Sequence, residues 1–123
     1  MNMKKILVAE DDSFLANAYR VWLPKAGFEI KITRDGQEAM DSLSEFTPDL
    51  IILDLIMPVK DGFTVLSEIK SNDRWKKIPV IVVSNLGQKE DIDRSMALGA
   101  ADYIVKSGMP ISGMIEKINK FLK

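Results

Sequence analysis

The stretch Asp49–Gly62, DLIILDLIMPVKDG, decides how the whole chain is read. Leu50–Leu53 is an uninterrupted apolar run, the pattern of a strand covered on both faces. An acid, Asp54, closes the run, and Leu55, Ile56, Met57 and Pro58 follow before the polar turn Lys60–Asp61–Gly62. A carboxylate at the edge of a hydrophobic core is costly unless a cation or hydrogen-bond donors meet it. Strands buried on both faces belong to parallel sheets with helices on either side. The rest of the chain should therefore alternate strands with helices.

It does. Further strand-like runs lie at Lys5–Ala9 (KILVA), Glu29–Thr33 (EIKIT), Val80–Val83 (VIVV) and Tyr103–Val105 (YIV). EIKIT alternates, as an edge or half-exposed strand would. Between the runs, apolar residues recur at helical spacing. Leu15, Ala18, Tyr19, Trp22 and Ala26 define a first helix that Pro24 should kink or end early. Asp35 with Glu38 resembles a capping box opening a second helix to about Glu45. Phe63, Val65, Leu66 and Ile69 mark a third, and Ile92, Met96 and Ala97 a fourth that Gly99 ends. Ile111, Met114, Ile115, Ile118, Phe121 and Leu122 form an amphipathic fifth, with Pro110 at its first turn. Five such βα units, with no repeat or linker, predict one α/β domain over residues 1–123: a doubly wound five-stranded parallel sheet with five helices.

Composition narrows the chemistry. The chain has 123 residues, 46% apolar and 28% charged, with a formal net charge of −1, as a soluble globular domain does. A chain this close to neutral, with a pI near 5.5, lacks the basic face of direct nucleic-acid binding. No apolar run approaches the length of a membrane span, and the N-terminus lacks the apolar core of a signal peptide. The cytoplasm is the expected compartment. There is no cysteine and no histidine, which removes disulfides, thiolate chemistry and every imidazole-dependent mechanism within the chain.

In a doubly wound sheet, ligands bind beyond the carboxyl ends of the strands. The polar residues just after each run are Glu10, Asp11 and Asp12 after the first, Asp54 after the third, Ser84 and Asn85 after the fourth, and Lys106 after the fifth. Thr33, Arg34 and Asp35, after the second, are assigned to the helix cap. Acids gathered at one edge repel one another unless a cation is present. An all-oxygen donor set suits a hard ion, Mg²⁺ best. With an ammonium and a hydroxyl beside it, such a site suits a phosphoryl group, which a carboxylate can accept as an acyl phosphate. Taken singly, Asp12 and Ser13 read equally as helix caps, Ser84 as a turn residue and Tyr103 as half-buried core.

In order, ILVAEDD, LIILDLIMPVKDG, PVIVVSN and GAADYIVKS resemble the receiver domain of two-component response regulators over essentially the whole chain. The resemblance implies strand order 2-1-3-4-5, the flavodoxin-like arrangement, and a set of roles. Asp54 would be the phosphoacceptor, charged from the phosphohistidine of a histidine kinase or histidine phosphotransfer protein. Glu10 and Asp11, with Asp54 and the backbone carbonyl of Ile56, would hold Mg²⁺. Ser84 and Lys106 would contact the phosphoryl oxygens. Tyr103 would swing inward with Ser84, altering the face made by the fourth and fifth helices and the strand between them, which a downstream protein target or output domain would read. Such a chain phosphorylates and dephosphorylates itself but is not a turnover enzyme.

Two departures from the family pattern stand out. Lys106 is followed by Ser107 where the family has proline, often in a cis bond; a non-proline cis bond is costly, so either a trans bond or a strained loop is expected. Ile56 and Leu86, two residues after Asp54 and Ser84, are both apolar and should shield an acyl phosphate from water. Two rival readings are an aspartyl-phosphate phosphatase of the haloacid-dehalogenase type, which would need an acid where Ile56 stands, and a flavodoxin-like mononucleotide carrier, which would need a Gly- or Ser/Thr-rich loop where EDDSF stands. The fifth helix runs to the last residues, so the sequence reads equally as a stand-alone receiver or as one part of a longer regulator.

Overall fold

Five short strands lie side by side in one sheet of the computed structural model, which describes residues 3–122. They are β1 (Lys5–Ala9), β2 (Glu29–Thr33), β3 (Leu50–Leu53), β4 (Val80–Ser84) and β5 (Asp102–Val105), all paired in parallel in the order β2-β1-β3-β4-β5. β4 and β5 are each one residue longer than the sequence pattern predicts. Parallel neighbours require crossovers, and the helices α1 (Ser13–Lys25), α2 (Gly36–Leu43), α3 (Gly62–Lys70), α4 (Lys89–Ala97) and α5 (Ile111–Leu122) provide them. The wholly apolar runs of β3 and β4 are fully buried, whereas β2 and β5 are half-exposed edges.

Strand alternation splits the core in two. Leu7, Ala9, Ile51, Leu53, Val80 and Val82 pack with α2 and α3 on one face, and Leu98 joins them. Ile6, Val8, Leu50, Ile52, Ile81, Val83 and Ile104 pack with α1 and α5 on the other.

Two helix faces differ from expectation. The inward stripe of α1 is Ala16, Tyr19 and Leu23, while Trp22 and Ala26 lie outside. The Lys25 ammonium sits 5.1 Å over the Trp22 ring, covering part of the exposed indole. Pro24 does not shorten α1: it falls one residue from the end, where its missing N–H removes a single terminal bond. On α4, Ser95 is buried while Met96 and Ala97 are exposed. This helix is mainly charged and lies at the sheet margin, so it has little apolar surface to turn inward.

The loop between β3 and α3 is tightly held. Gly62 donates its N–H to the Leu55 carbonyl at 2.9 Å. Gly36 leaves room for the Lys60 backbone, since a Cβ there would meet the Lys60 carbonyl oxygen at 1.9 Å. Lys60 Nζ is paired with Glu68 at 2.7 Å. Between these anchors the Lys60 N–H donates to the Pro58 carbonyl at 2.8 Å, a γ-turn centred on Val59 with φ +69°. That form is rare and strained, the more so for a β-branched residue.

Candidate functional site

Ladder register brings the acids together. Ala9 pairs with Leu53, so Glu10 and Asp54 leave the sheet side by side, and the Asp54 N–H donates to the Ala9 carbonyl at 2.9 Å. Ser84 pairs with Val105 at the other side, and Lys106 follows at the same edge. Lys106 Nζ reaches both acids, donating to Glu10 Oε2 at 2.9 Å and to Asp54 Oδ2 at 3.1 Å. Glu10 is 1% exposed and Asp54 4%, so this is a buried charge cluster rather than a surface ion pair. The Lys106–Ser107 bond is trans, as no cis peptide bond occurs among the described residues, and Lys106 opens a 3₁₀ turn over Lys106–Gly108.

Burial pushes Glu10 up to about 7, with the bonds from Lys106 and the Asp12 N–H opposing and the Asp54 charge adding to the rise. For Lys106, burial acts downward but the two carboxylates outweigh it and hold the ammonium above the usual lysine range. Both follow from three charges in one water-poor place.

Asp12 caps α1, accepting from the Phe14 N–H at 2.9 Å, and its own N–H donates to Glu10 Oε2 at 3.0 Å. Asp11 is exposed beside it. Asp11, Asp12, Asp54, Ile56, Asn85 and Lys106 line an open depression of about 260 Å³. Ser84 does not line it: the residue is fully buried, and its hydroxyl accepts from the Leu86 N–H at 3.3 Å. Asn85, which follows the strand by one residue and so points the other way, takes that position. Tyr103 is half-buried and its hydroxyl donates to the Leu86 carbonyl, tying β5 to the loop after β4. Leu86 itself packs against the core, so of the two apolar residues expected to shield the site only Ile56 borders it.

Arg34 is the residue that sequence reasoning misassigned. Asp35 alone caps α2, accepting from the Glu38 N–H at 2.8 Å. The Arg34 guanidinium instead donates to the Asp11 carbonyl at 2.6 Å and to Ser13 Oγ at 2.8 Å, bracing the acidic loop from the end of the neighbouring strand. Only the pairing of β1 with β2 reveals this contact.

The donor set fits a hard divalent ion in chemistry: every side-chain ligand is oxygen, and Glu10 Oε1 is buried without a hydrogen-bond partner. The described acids are not drawn into a cluster of three or more. Lys106 supplies the positive charge that Glu10 and Asp54 share.

A family model for the response regulator receiver domain matches residues 6–119. The chain belongs to that family. It is 35% identical over 119 residues to the chemotaxis protein CheY of Bacillus subtilis, covering 96% of this chain and 97% of that one. Among solved structures it resembles the phosphorylated cyanobacterial phytochrome response regulator RcpA, with 36% identity and a TM-score of 0.86 over 98% of this chain and 94% of that one. It also resembles the Mn²⁺-bound response regulator Rcp1, at 35% identity and a TM-score of 0.81 over 96% and 93%. The chain spans about half the length of several transcriptional regulators that it matches. The doubly wound fold of order 2-1-3-4-5 agrees with these neighbours. No helix among the described residues is long and apolar enough to cross a membrane.

Proposed function

We propose that residues 1–123 act as one phosphoacceptor unit in which Asp54 takes a phosphoryl group from the phosphohistidine of a histidine kinase or histidine phosphotransfer protein. The observation that carries this reading is Asp54 itself: a nearly buried carboxylate, oriented by Lys106 through Oδ2 and opening onto an acid-lined depression. In the transfer, an Asp54 oxygen forms a bond to phosphorus as the phosphorus–nitrogen bond of the donor breaks, and the imidazole leaves with the electron pair. Lys106 faces the incoming oxygens as a positive charge, and the β3–α3 loop keeps the carboxylate from turning away. Catalysis of this kind is positioning and charge neutralisation.

Glu10, Asp11, Asp54 and the Ile56 backbone carbonyl would hold Mg²⁺, which when bound would neutralise charge on the transferring oxygens. The Mn²⁺-bound relative supports a divalent ion, and the phosphorylated relative supports the acceptor role. Ser84 would meet the phosphoryl group after a small movement of the loop that Tyr103 ties down, and that movement would alter the α4–β5–α5 face read by a downstream protein or output domain. The unit works in the cytoplasm as a switch, not as a turnover enzyme or a direct binder of nucleic acid. An apolar residue at Ile56 and an acidic loop after β1 disfavour the phosphatase and mononucleotide-carrier readings.

Incubation with acetyl phosphate, with and without Mg²⁺, followed by intact-mass measurement tests the assignment. Wild type should gain one phosphoryl mass only with the ion, and Asp54→Asn should gain none. An undiminished adduct on the variant would remove Asp54 from its role.

A further inference from the structure

Of the three acids assigned to the cation, two have anchored side chains and one does not. Glu10 Oε2 is held by Lys106 and the Asp12 N–H, and Asp54 by Lys106 and the Ile56 N–H. Asp11 is exposed and lines the depression. Among the described residues its one hydrogen bond is made by its backbone carbonyl, which accepts from Arg34 at 2.6 Å. The direction of the Asp11 carboxylate is therefore set through the backbone that Arg34 holds.

The sheet explains how Arg34 comes to hold it. β1 pairs with β2 as far as Ala9 and Thr33, and the Glu10 N–H still donates to the Thr33 carbonyl at 3.0 Å. The ladder stops there, and Arg34 is the next residue of β2's exit. Its Nη2 spans the gap, donating to the Asp11 carbonyl and, at 2.8 Å, to Ser13 Oγ. These acceptors flank Asp12, the cap of α1, so one guanidinium clasps the acidic loop on both sides of its turn. Both acceptors are neutral, and the clasp uses up no carboxylate.

Charge and geometry pull in opposite directions here. A guanidinium beside the acids repels an incoming cation, whereas a clasp that aims Asp11 favours it. We propose that Arg34 is a positioning residue for the cation site: by fixing the β1–α1 loop it presents the Asp11 carboxylate to a divalent ion, and this outweighs the repulsion of its own charge. The proposal rests on the phosphoacceptor reading above for the ion itself.

Arg34→Met keeps the length of the stem and removes both donors and the charge. Mg²⁺ titration by calorimetry at fixed ionic strength should show binding about tenfold weaker than in wild type, the low end for loss of a group that orients a metal's ligand. Introduced into Asp11→Asn, whose amide oxygen remains a weaker ligand, the same substitution should cost much less. Urea unfolding of each variant shows that the titrated protein is folded; a clasp that served stability alone would lower the midpoint and leave the affinity of the folded protein unmoved. Equal or tighter Mg²⁺ binding in Arg34→Met, or equal weakening in the two backgrounds, would overturn the proposal and leave the phosphoacceptor reading standing. A wild type that takes up no Mg²⁺ would overturn it together with the cation part of that reading.

Discussion

Gly62 lies so close to the backbone of Asp54 that a Cβ built on it would stand 2.1 Å from the Asp54 carbonyl oxygen. The first residue of α3 thus fixes the height of Asp54, and only a glycine allows the approach. Gly62→Ala must displace backbone on both sides, which costs about 1–3 kcal/mol. Urea unfolding should show that loss, and labelling of Asp54 by acetyl phosphate should slow. Unchanged stability together with an unchanged labelling rate would mean the contact relaxes freely.

Lys106 is the shared partner of two buried carboxylates, so Lys106→Met should do more than remove a surface charge. Truncating one member of a buried charge cluster costs about 3–5 kcal/mol, and the metal-free variant should lose stability on that scale near pH 8. The loss should shrink toward pH 5, where Glu10 takes a proton and ceases to need the ammonium. In wild type the sign is set by Glu10, which burial holds up at about 7 against the ordinary 4.5 of a glutamate. Between those two pH values the folded state carries more protons than the unfolded state, so stability falls as pH rises through the window. Thermal melts of wild type and Glu10→Gln from pH 4 to 8 should differ in slope across that interval, with the flatter curve for the variant.

Val59 is 80% exposed, so its side chain gains nothing from the positive φ its backbone holds. Asparagine tolerates that region far better. Val59→Asn should raise the unfolding free energy by about 1 kcal/mol, within the range a left-handed β-branched residue forfeits. Val59→Pro, whose ring requires negative φ, should lower it. Chemical denaturation of the pair gives both signs in one experiment.

Ile56 borders the depression and is 61% exposed, so it stands where a water molecule would approach an acyl phosphate on Asp54. Ile56→Asn puts a hydrogen-bonding amide in that place and should speed phosphate loss several-fold, by roughly the factor a single positioning group contributes. Decay of the phosphorylated mass after removal of acetyl phosphate measures it. Leu86→Asn should act differently, through packing, because Leu86 faces the core and accepts from Tyr103 only by its carbonyl.

The sheet was legible in the sequence because its strands are short, apolar and closed by polar residues. Glu10, Asp54 and Lys106 could be grouped at one edge from that alternation alone. Helix faces were less legible. A stripe at positions 15, 18, 19, 22 and 26 fits the helical period, yet packing beneath β1 selected Ala16, Tyr19 and Leu23, one small rotation away. The offset between Ser84 and Asn85 was invisible for the same reason, since one residue decides which side of a strand end faces the depression. Arg34 carries no local signal at all, because its partners lie 23 and 21 residues away and only the sheet joins them.

The ammonium that balances Glu10 arrives 96 residues later in the chain. A polypeptide still emerging, with four strands made and β5 yet to come, already holds Glu10 and Asp54 but not Lys106. Its acidic edge stays electrostatically open until the last βα unit docks and latches first strand to last. Closure of the charge cluster is thereby deferred until β5 pairs, so a chain lacking that strand holds both acids without their shared ammonium.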